Sequence, residues 1–437
     1  PLLRALPAPT LGAPPVPRVP RPERWMLPNG LRVVAVPRAG IPQVALRLVV
    51  PAGSAADPPQ YPGTSALVAS LLTEGTLALD AEALNARIDA LGASVSAHGG
   101  HDYAEVEMTL LGGTLEEGVP LLAELATRPA FPEDETERVR AEALDALAAR
   151  ADEPANVADD RVLMEVFGAD HPYGRPSFGT AEGVRAVPRE VLAAFHAERY
   201  RATGSFLVAA GDFDLAELRV VLERAFGGWT GQAEPVVYPP APARPARAGE
   251  RVALPWEDSA QGEIRIGGPG LPRRSPDWIP ASVANYVLGG STILGRLGAN
   301  LREEKGWTYG VRSGFSAGME PGGWLAETAV GGEVTGDAVR EMHAEMRRMA
   351  AEPVPDEELR RAKDALALSL PRAFETPGRV ASRMATLEAF GLPHDYWERF
   401  AERVEAVTPE EVLRVAREHF DPARLVTVTV GGDDAEG

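Results

Sequence analysis

The sequence predicts an α+β protein made of two copies of one domain. Two observations support this prediction: sequence patterns recur at a constant separation, and in each copy strand-like segments come first, helical segments follow and a strand closes. This order favours a sheet with helices packed on one face. At 437 residues the chain also exceeds what one hydrophobic core usually supports, which favours more than one domain.

The duplication is visible in two pairs of segments. Residues 184–192 read VRAVPREVL and residues 404–413 read VEAVTPEEVL, while the apolar runs at 206–212 and 426–432 each reach a glycine at their sixth position. Both pairs are 220 positions apart. Similarity at one fixed offset indicates that a single structural unit occurs twice.

Proline-rich segments set the predicted domain boundaries. Residues 1–24 contain eight prolines and are predicted to form an extended arm, since proline ends helices and is excluded from central strands. A second cluster of five prolines marks residues 233–249 as a linker. The first domain is therefore predicted at 25–232 and the second at 250–437.

Within the first copy, runs of apolar and β-branched residues predict strands at 31–36 and 44–50. Apolar residues at helical spacing predict a buried helix over 63–72. Later patterns predict a strand near 103–110 and helices at 81–91, 115–127 and 134–150.

Composition excludes several functional classes. The net charge of -19 repels phosphate backbones, so no nucleic-acid partner is expected. The chain has no cysteine, which removes disulfides and thiolate zinc sites. No apolar run approaches the roughly 20 residues that span a bilayer, so no integral membrane segment is predicted. The Pro-rich beginning resembles the segment after a removed bacterial signal, which favours the periplasm over a soluble cytoplasmic location.

Five stretches together resemble the pitrilysin family, the inverzincins, which include insulin-degrading enzyme and the mitochondrial processing peptidase. They are LPNGLRV at 27–33, EGT at 74–76, HPYGR at 171–175, the Gly-Asp pair at 211–212 and LREEKGWTY at 301–309. Their order and spacing, spread over residues 25 to about 432, make the match specific. The resemblance implies two homologous α/β-roll domains with antiparallel-rich sheets, in agreement with the repeat.

The same resemblance shows that the zinc motif is missing. Active members carry H-x-x-E-H on the first-domain helix, where two histidines one turn apart bind zinc and the glutamate activates water. These positions fall on Ala66, Ala69 and Ser70. The third ligand, a glutamate on a later helix, corresponds to residues 144–149, where Asp145 is the only carboxylate. This chain is therefore predicted to bind no metal or cofactor, and zinc is expected in a partner subunit.

Other histidines offer a weaker metal alternative. His98 and His101 form the only close pair, separated by two glycines that suggest a turn instead of a helix face. Two interpretations remain for this pair: a metal site, or ordinary surface histidines in a loop. His171 lies in the HPYG turn, which we interpret as structural.

The second domain retains two residues of catalytic interest. Arg302 and Tyr309 keep the spacing of an arginine and a tyrosine that, in active family assemblies, bind the substrate carbonyl and the developing oxyanion. In the family, this pair faces the zinc domain, from the same chain or from a partner. The alternative is that Arg302 pairs with Glu303 or Glu304, and that Tyr309 is a strand residue with a solvated hydroxyl.

The resemblance therefore implies a non-catalytic subunit of a heterodimeric peptidase, whose homologous partner carries H-x-x-E-H and which binds peptide or unfolded polypeptide in extended form. Two alternatives remain: a structural or assembly protein without a role in proteolysis, and a peptide-binding homodimer. No motif encodes substrate preference, because many loops would shape the chamber in which the two subunits hold the substrate.

Overall fold

The structure is a computed structural model that describes residues 19–257 and 259–432. Within those residues, eleven strands form two sheets. The predicted arm therefore lies mostly outside the described part of the chain. The strands are β1 (Glu23–Met26), β2 (Arg32–Pro37), β3 (Gln43–Val50), β4 (Ser94–Gly99), β5 (Ala104–Leu111), β6 (Phe206–Gly211), β7 (Arg251–Leu254), β8 (Gln261–Pro269), β9 (Val311–Phe315), β10 (Gly323–Gly331) and β11 (Val426–Val430).

Fifteen α-helices accompany these strands in the described residues. A π-helical segment at Ala299–Glu304 follows the tenth helix directly. The helices are α1 (Thr64–Leu71), α2 (Ala81–Ala90), α3 (Leu115–Thr127), α4 (Glu133–Ala151), α5 (Pro154–Phe167), α6 (Ala181–Ala186), α7 (Arg189–Arg199), α8 (Leu215–Phe226), α9 (Trp278–Asn285), α10 (Arg296–Gly298), α11 (Thr335–Ala351), α12 (Asp356–Ser369), α13 (Pro377–Ala389), α14 (Phe400–Ala406) and α15 (Pro409–His419).

The two sheets share one topology except for β1, an additional edge strand of the first sheet. The first has the order β1-β2-β6-β3-β5-β4 and the second the order β7-β11-β8-β10-β9. In each, the last strand of its half pairs in parallel with an early strand, β6 with β2 and β11 with β7, and every other pair is antiparallel. The α+β class and the duplication predicted from the sequence are confirmed.

Each sheet is covered on both faces, and one covering helix comes from the other half of the chain. Helix α5 packs against β8 and β11 of the second sheet, whereas α13 packs against β3 and β6 of the first. Side chains alternate along a strand, so Leu46 and Leu48 face the first half's own helices while Val49 joins the core that contains α13. The sequence predicts helices on one face of each sheet. Helices α5 and α13, each contributed by the other half, cover the second face as well.

Ion pairs fix both exchanged helices to the sheets that receive them. Arg265 on β8 contacts Asp159 of α5, with Nε and Oδ1 2.5 Å apart. Glu388 of α13 pairs with Arg24 on β1 at 2.9 Å and with Arg32 on β2 at 3.3 Å. The two halves are therefore joined by reciprocal apolar and charged contacts.

The described residues agree with the sequence in most elements and differ at the arm. The predicted arm ends at residue 24, but Glu23 and Arg24 already belong to β1. The end of a proline-rich segment can join the sheet here, because β1 is an edge strand and its outer side needs no hydrogen-bond partner. Residues 233–249, the predicted linker, contain no described helix or strand. The domain boundaries themselves stay a prediction.

No described helix combines the length and apolarity needed to cross a membrane.

Candidate functional site

Helix α1, where the zinc motif would stand, is anchored at its first turn by a buried carboxylate. Asp57 accepts hydrogen bonds from the backbone N–H of Gly63 at 2.7 Å and of Ser65 at 2.8 Å. Burial raises the pKa of Asp57 to about 6. Gly63 has φ +104°, a left-handed conformation that favours glycine. The turn thus fixes how α1 enters the domain.

The three motif positions differ in their surroundings. Ala66 is half-buried and Ser70 is exposed, whereas Ala69 is fully buried. Ala66 and Ser70 lie at the mouth of a cavity of about 210 Å³ between α1 and α4. The cavity is lined by Ala66, Leu67, Ser70, Ala143, Ala146, Leu147, Arg150 and Phe178.

This cavity does not fit a zinc ion. Its only polar side chains are the Ser70 hydroxyl and the Arg150 guanidinium, and a cation repels a metal ion. Arg150 lies over the Phe178 ring at 5.1 Å and pairs with Asp160 at 2.7 Å. The hydrogen bond to Asp160 raises the pKa of Arg150, so the positive charge is permanent. Asp145, the one carboxylate in the third-ligand stretch, is exposed and does not line the cavity.

Sequence reasoning missed Arg150 and Phe178. The signal for Arg150 was the spacing of Ala143, Ala146, Leu147 and Arg150, which places all four on the face of α4 that meets α1. Phe178 lies in the loop after α5, and no local pattern connects that loop with the zinc-motif helix.

The histidine pair does not converge on one site. His98 lies on β4, where its ring nitrogen and the carboxylates of Glu105 and Glu107 fall within 4.8 Å of one another. Arg47 already pairs with both carboxylates, at 2.5 and 2.8 Å, and offsets one of their two negative charges. His101 is turned away, its Nδ1 3.1 Å from the Ser54 hydroxyl. Burial lowers the pKa of His101, which keeps the ring neutral.

His171 has the surroundings of a structural residue. Its Nδ1 accepts a hydrogen bond from the backbone N–H of Tyr173 at 3.0 Å, and its Nε2 lies 3.2 Å from the Pro239 carbonyl oxygen. The ring stacks on Phe167, with centroids 5.2 Å apart. Because both nitrogens are engaged, the imidazole ties the HPYG turn to the segment between the two sheets.

Arg302 precedes a short loop in the second half, and Tyr309 lies within that loop. Arg302 belongs to the π-helical segment, and its Nε is 3.5 Å from Glu303 Oε1, a weak contact that leaves the side chain 36% exposed. Tyr309 stands two residues before β9 with 95% of its surface exposed. The alternative interpretation is therefore right about Glu303, but Tyr309 is a loop residue.

Two edge strands accompany these positions. Strand β4 is one of the two edges of the first sheet and runs beside α1: a Cβ on Gly99 would lie 3.3 Å from the backbone nitrogen of Ala66. Strand β9, which follows Tyr309, is one of the two edges of the second sheet. Edge strands carry unpaired backbone groups that can pair with an added extended peptide.

Comparison with known proteins places this arrangement in a family. Residues 32–181 match the sequence model described as insulinase (peptidase family M16), and residues 186–366 match that of the peptidase M16 inactive domain. An uncharacterised zinc protease of Mycobacterium tuberculosis is 28% identical over 400 residues, covering 91% of this chain and 90% of the relative. One from Streptomyces coelicolor is 26% identical over 398 residues, covering 90% and 86%.

Solved structures share the fold along nearly the whole chain. The peptidase M16 inactive domain from Pseudomonas fluorescens superposes with a TM-score of 0.89 at 23% identity, covering 95% of this chain and 99% of that one. A protease from Helicobacter pylori gives 0.87 at 17%, covering 95% and 100%. The likenesses to solved structures show the shared fold, and the two family matches in succession, over residues 32–181 and 186–366, show that the chain belongs to the M16 peptidase family.

Proposed function

We propose that this chain is the non-catalytic subunit of a heterodimeric M16 peptidase and completes the active site of an H-x-x-E-H partner. The observation that carries the proposal is a contrast between the halves. The predicted zinc-motif positions hold two alanines and a serine with Arg150 nearby, whereas Tyr309 is exposed to solvent two residues before the edge strand β9. A tyrosine exposed over 95% of its surface makes no packing contribution that would explain its presence.

The chemistry assigned to this chain is hydrogen-bond donation. The partner's zinc would supply Lewis-acid activation of water. The Arg302 guanidinium and the Tyr309 hydroxyl would donate to the carbonyl oxygen of the scissile peptide bond as it gains negative charge. An extended peptide would be held by pairing with a free sheet edge such as β9.

Activity of the mixed subunits tests the roles of the pair. We expect this chain alone to cleave no peptide and to raise the turnover of an H-x-x-E-H homologue when the two are combined. In the complex, Arg302→Ala and Tyr309→Phe should each lower kcat on the order of 10²-fold, the loss typical of one oxyanion donor. Arg340→Ala on α11, whose side chain is 71% exposed, is the matched control and should retain full turnover.

Light scattering of the same samples separates the alternatives. A 1:1 complex with full activity in both variants would remove Arg302 and Tyr309 from the mechanism and favour an assembly role. A homodimer that binds peptide and ignores the partner would instead favour the peptide-binding alternative.

A further inference from the structure

A second cavity, of about 510 Å³, lies in the second half, away from the zinc-motif position. Its walls come from residues 273–276 and the start of α9, from the segment between α13 and α14, from the end of α14 and from α15. Three arginines line it, Arg273, Arg274 and Arg403, together with Trp278 and Tyr396. Such a concentration of positive charge is unusual in a chain with a net charge of -19.

Arg273 is the central residue of this cavity. Only 5% of its surface is exposed, and its guanidinium carbon lies 4.7 Å from the ring centroid of Trp278 and 4.9 Å from that of Tyr396. Within the described part of the chain, its side chain has no carboxylate partner, and its Nη1 is buried without an acceptor. The buried Tyr396 hydroxyl also lacks a partner there. Unpaired buried polar groups are costly, so two in one cavity point to a missing ligand.

The remaining charges around the cavity do not neutralise Arg273. Arg403 lies 5.6 Å from the Tyr396 ring, and its nearest described carboxylate, Asp395, is 3.9 Å away. Glu411 is the only acidic residue in the lining, and its carboxylate accepts from the backbone N–H of Thr408 at 2.9 Å in a helix cap. The cavity therefore offers positive charge to an incoming group.

We propose that this cavity binds a carboxylate carried on an apolar or aromatic body. A carboxylate matches the planar fork of a guanidinium and would supply the absent counter-charge of Arg273. Trp278, Ile279 and Leu392 offer apolar surface to the rest of the molecule. The free C-terminus of a peptide and a small organic acid share this chemistry.

Calorimetric titration of the full chain with 3-phenylpropionate tests the proposal, with 3-phenylpropionamide as the neutral match. We expect the acid to bind and to raise the Tm, and the amide to bind at least about 10-fold more weakly, because charge-assisted hydrogen bonds are lost. Arg273→Met should abolish the difference in affinity between the acid and the amide. It should not lower the Tm of the free protein, since it removes a buried charge without a carboxylate partner. Arg399→Met, a half-exposed arginine that pairs with Glu402, is the control and should bind like the wild type.

Further probes identify the source of the carboxylate. The peptide Gly-Gly-Phe with a free C-terminus should bind more tightly than its C-terminal amide if the cavity reads peptide ends; equal, weak binding of the two would assign the site to small acids. Equal affinity of acid and amide in the wild type, or an unchanged affinity for 3-phenylpropionate in both Arg273→Met and Arg403→Gln, would overturn the proposal. Inorganic phosphate that binds as tightly as the acid would do the same.

Discussion

The three positions that the resemblance assigns to the zinc motif differ in burial and carry neither a histidine nor a carboxylate. Ala69 is fully buried, and Ala66 and Ser70 border an apolar cavity instead of a metal site. The Arg150 guanidinium also lines this cavity. The described lining therefore contains no histidine or carboxylate that could replace the predicted zinc ligands.

Restoring the motif one residue at a time tests this view. Ala69→Glu would place a carboxylate at a buried site, so we expect a loss of about 2 to 4 kcal/mol in the free energy of unfolding. Ser70→His, at an exposed position of the same helix, should change stability by less than about 0.5 kcal/mol. Urea unfolding of the two variants measures the difference. Equal stabilities would mean that α1 still accommodates the lost glutamate.

A buried histidine makes stability depend on pH. His196 Nε2 lies 2.9 Å from the Ala126 carbonyl oxygen, and burial lowers the pKa of His196 to about 4. Between pH 6.5 and 4 the unfolded chain takes up a proton that the folded chain refuses. The stabilising contribution is therefore complete above pH 6.5 and disappears as the pH falls toward 4.

We expect His196 to account for about 2 kcal/mol of stability lost between pH 7 and pH 5. Urea unfolding at both pH values should show a smaller loss in His196→Gln, whose amide does not titrate and can still donate to Ala126. Burial also lowers the pKa of His343 to about 4, so His343 likewise destabilises the folded protein as the pH falls. His343→Gln should therefore reduce the loss of stability independently. A loss between pH 7 and pH 5 as large in His196→Gln and in His343→Gln as in the wild type would contradict this explanation.

At the scale of elements, the exchanged helices connect the two halves. The buried residues of α13 are Pro377, Val380, Ala381, Met384, Ala385 and Leu387. They recur at intervals of three and four, so one face of the helix lies on the first sheet and the opposite face carries polar side chains. Helix α5 repeats this arrangement on the second sheet.

Truncation within α13 measures how much this packing contributes. Met384 is 1% exposed, so Met384→Ala should reduce the free energy of unfolding by about 2 to 4 kcal/mol through lost contacts and a cavity. Ser382→Ala on the same helix, half-buried and outside that face, should cost less than about 0.5 kcal/mol. Thermal unfolding of both variants gives the comparison, and a similar Tm for the two would show that α13 docks loosely.

At the scale of the whole molecule, neither half closes its own core. Residues of the first sheet, among them Val49, Phe206 and Val208, belong to the same apolar cluster as the helices of the second half. In the other direction, Val162 and Val166 of α5 pack with Val426 and Val428 of β11. The two halves therefore share apolar cores in both directions.

Separation of the halves should make this dependence visible. We expect residues 19–249 produced alone to bind a hydrophobic dye and to lack a cooperative unfolding transition, because the face that receives α13 is exposed. Mixing with residues 250–432 should restore the transition. A first half that unfolds cooperatively alone, at the temperature of the full chain, would show that the exchanged helices add little.

The loss of the zinc ligands stays a prediction that the family resemblance implies. The sequence by itself determined the duplication, the α+β class and most elements of the first half. Each of these depends on local patterns: alternation in strands, helical spacing of apolar residues, and side-chain types at fixed distances along the chain. The helix predicted at 115–127, for example, coincides with α3.

Only the tertiary structure decided what surrounds those residues. The exchange of α5 and α13, the packing of Arg150 and Phe178 beside the predicted zinc-motif positions, and the placement of Arg273 between Trp278 and Tyr396 all bring together segments distant in sequence. Periodicity shows that a helix has an apolar face but not which sheet receives it. Whether an arginine has a counter-ion depends on which segments meet around it. The cavity beside the predicted zinc-motif positions and the cavity around Arg273 are both formed by segments that meet in this way.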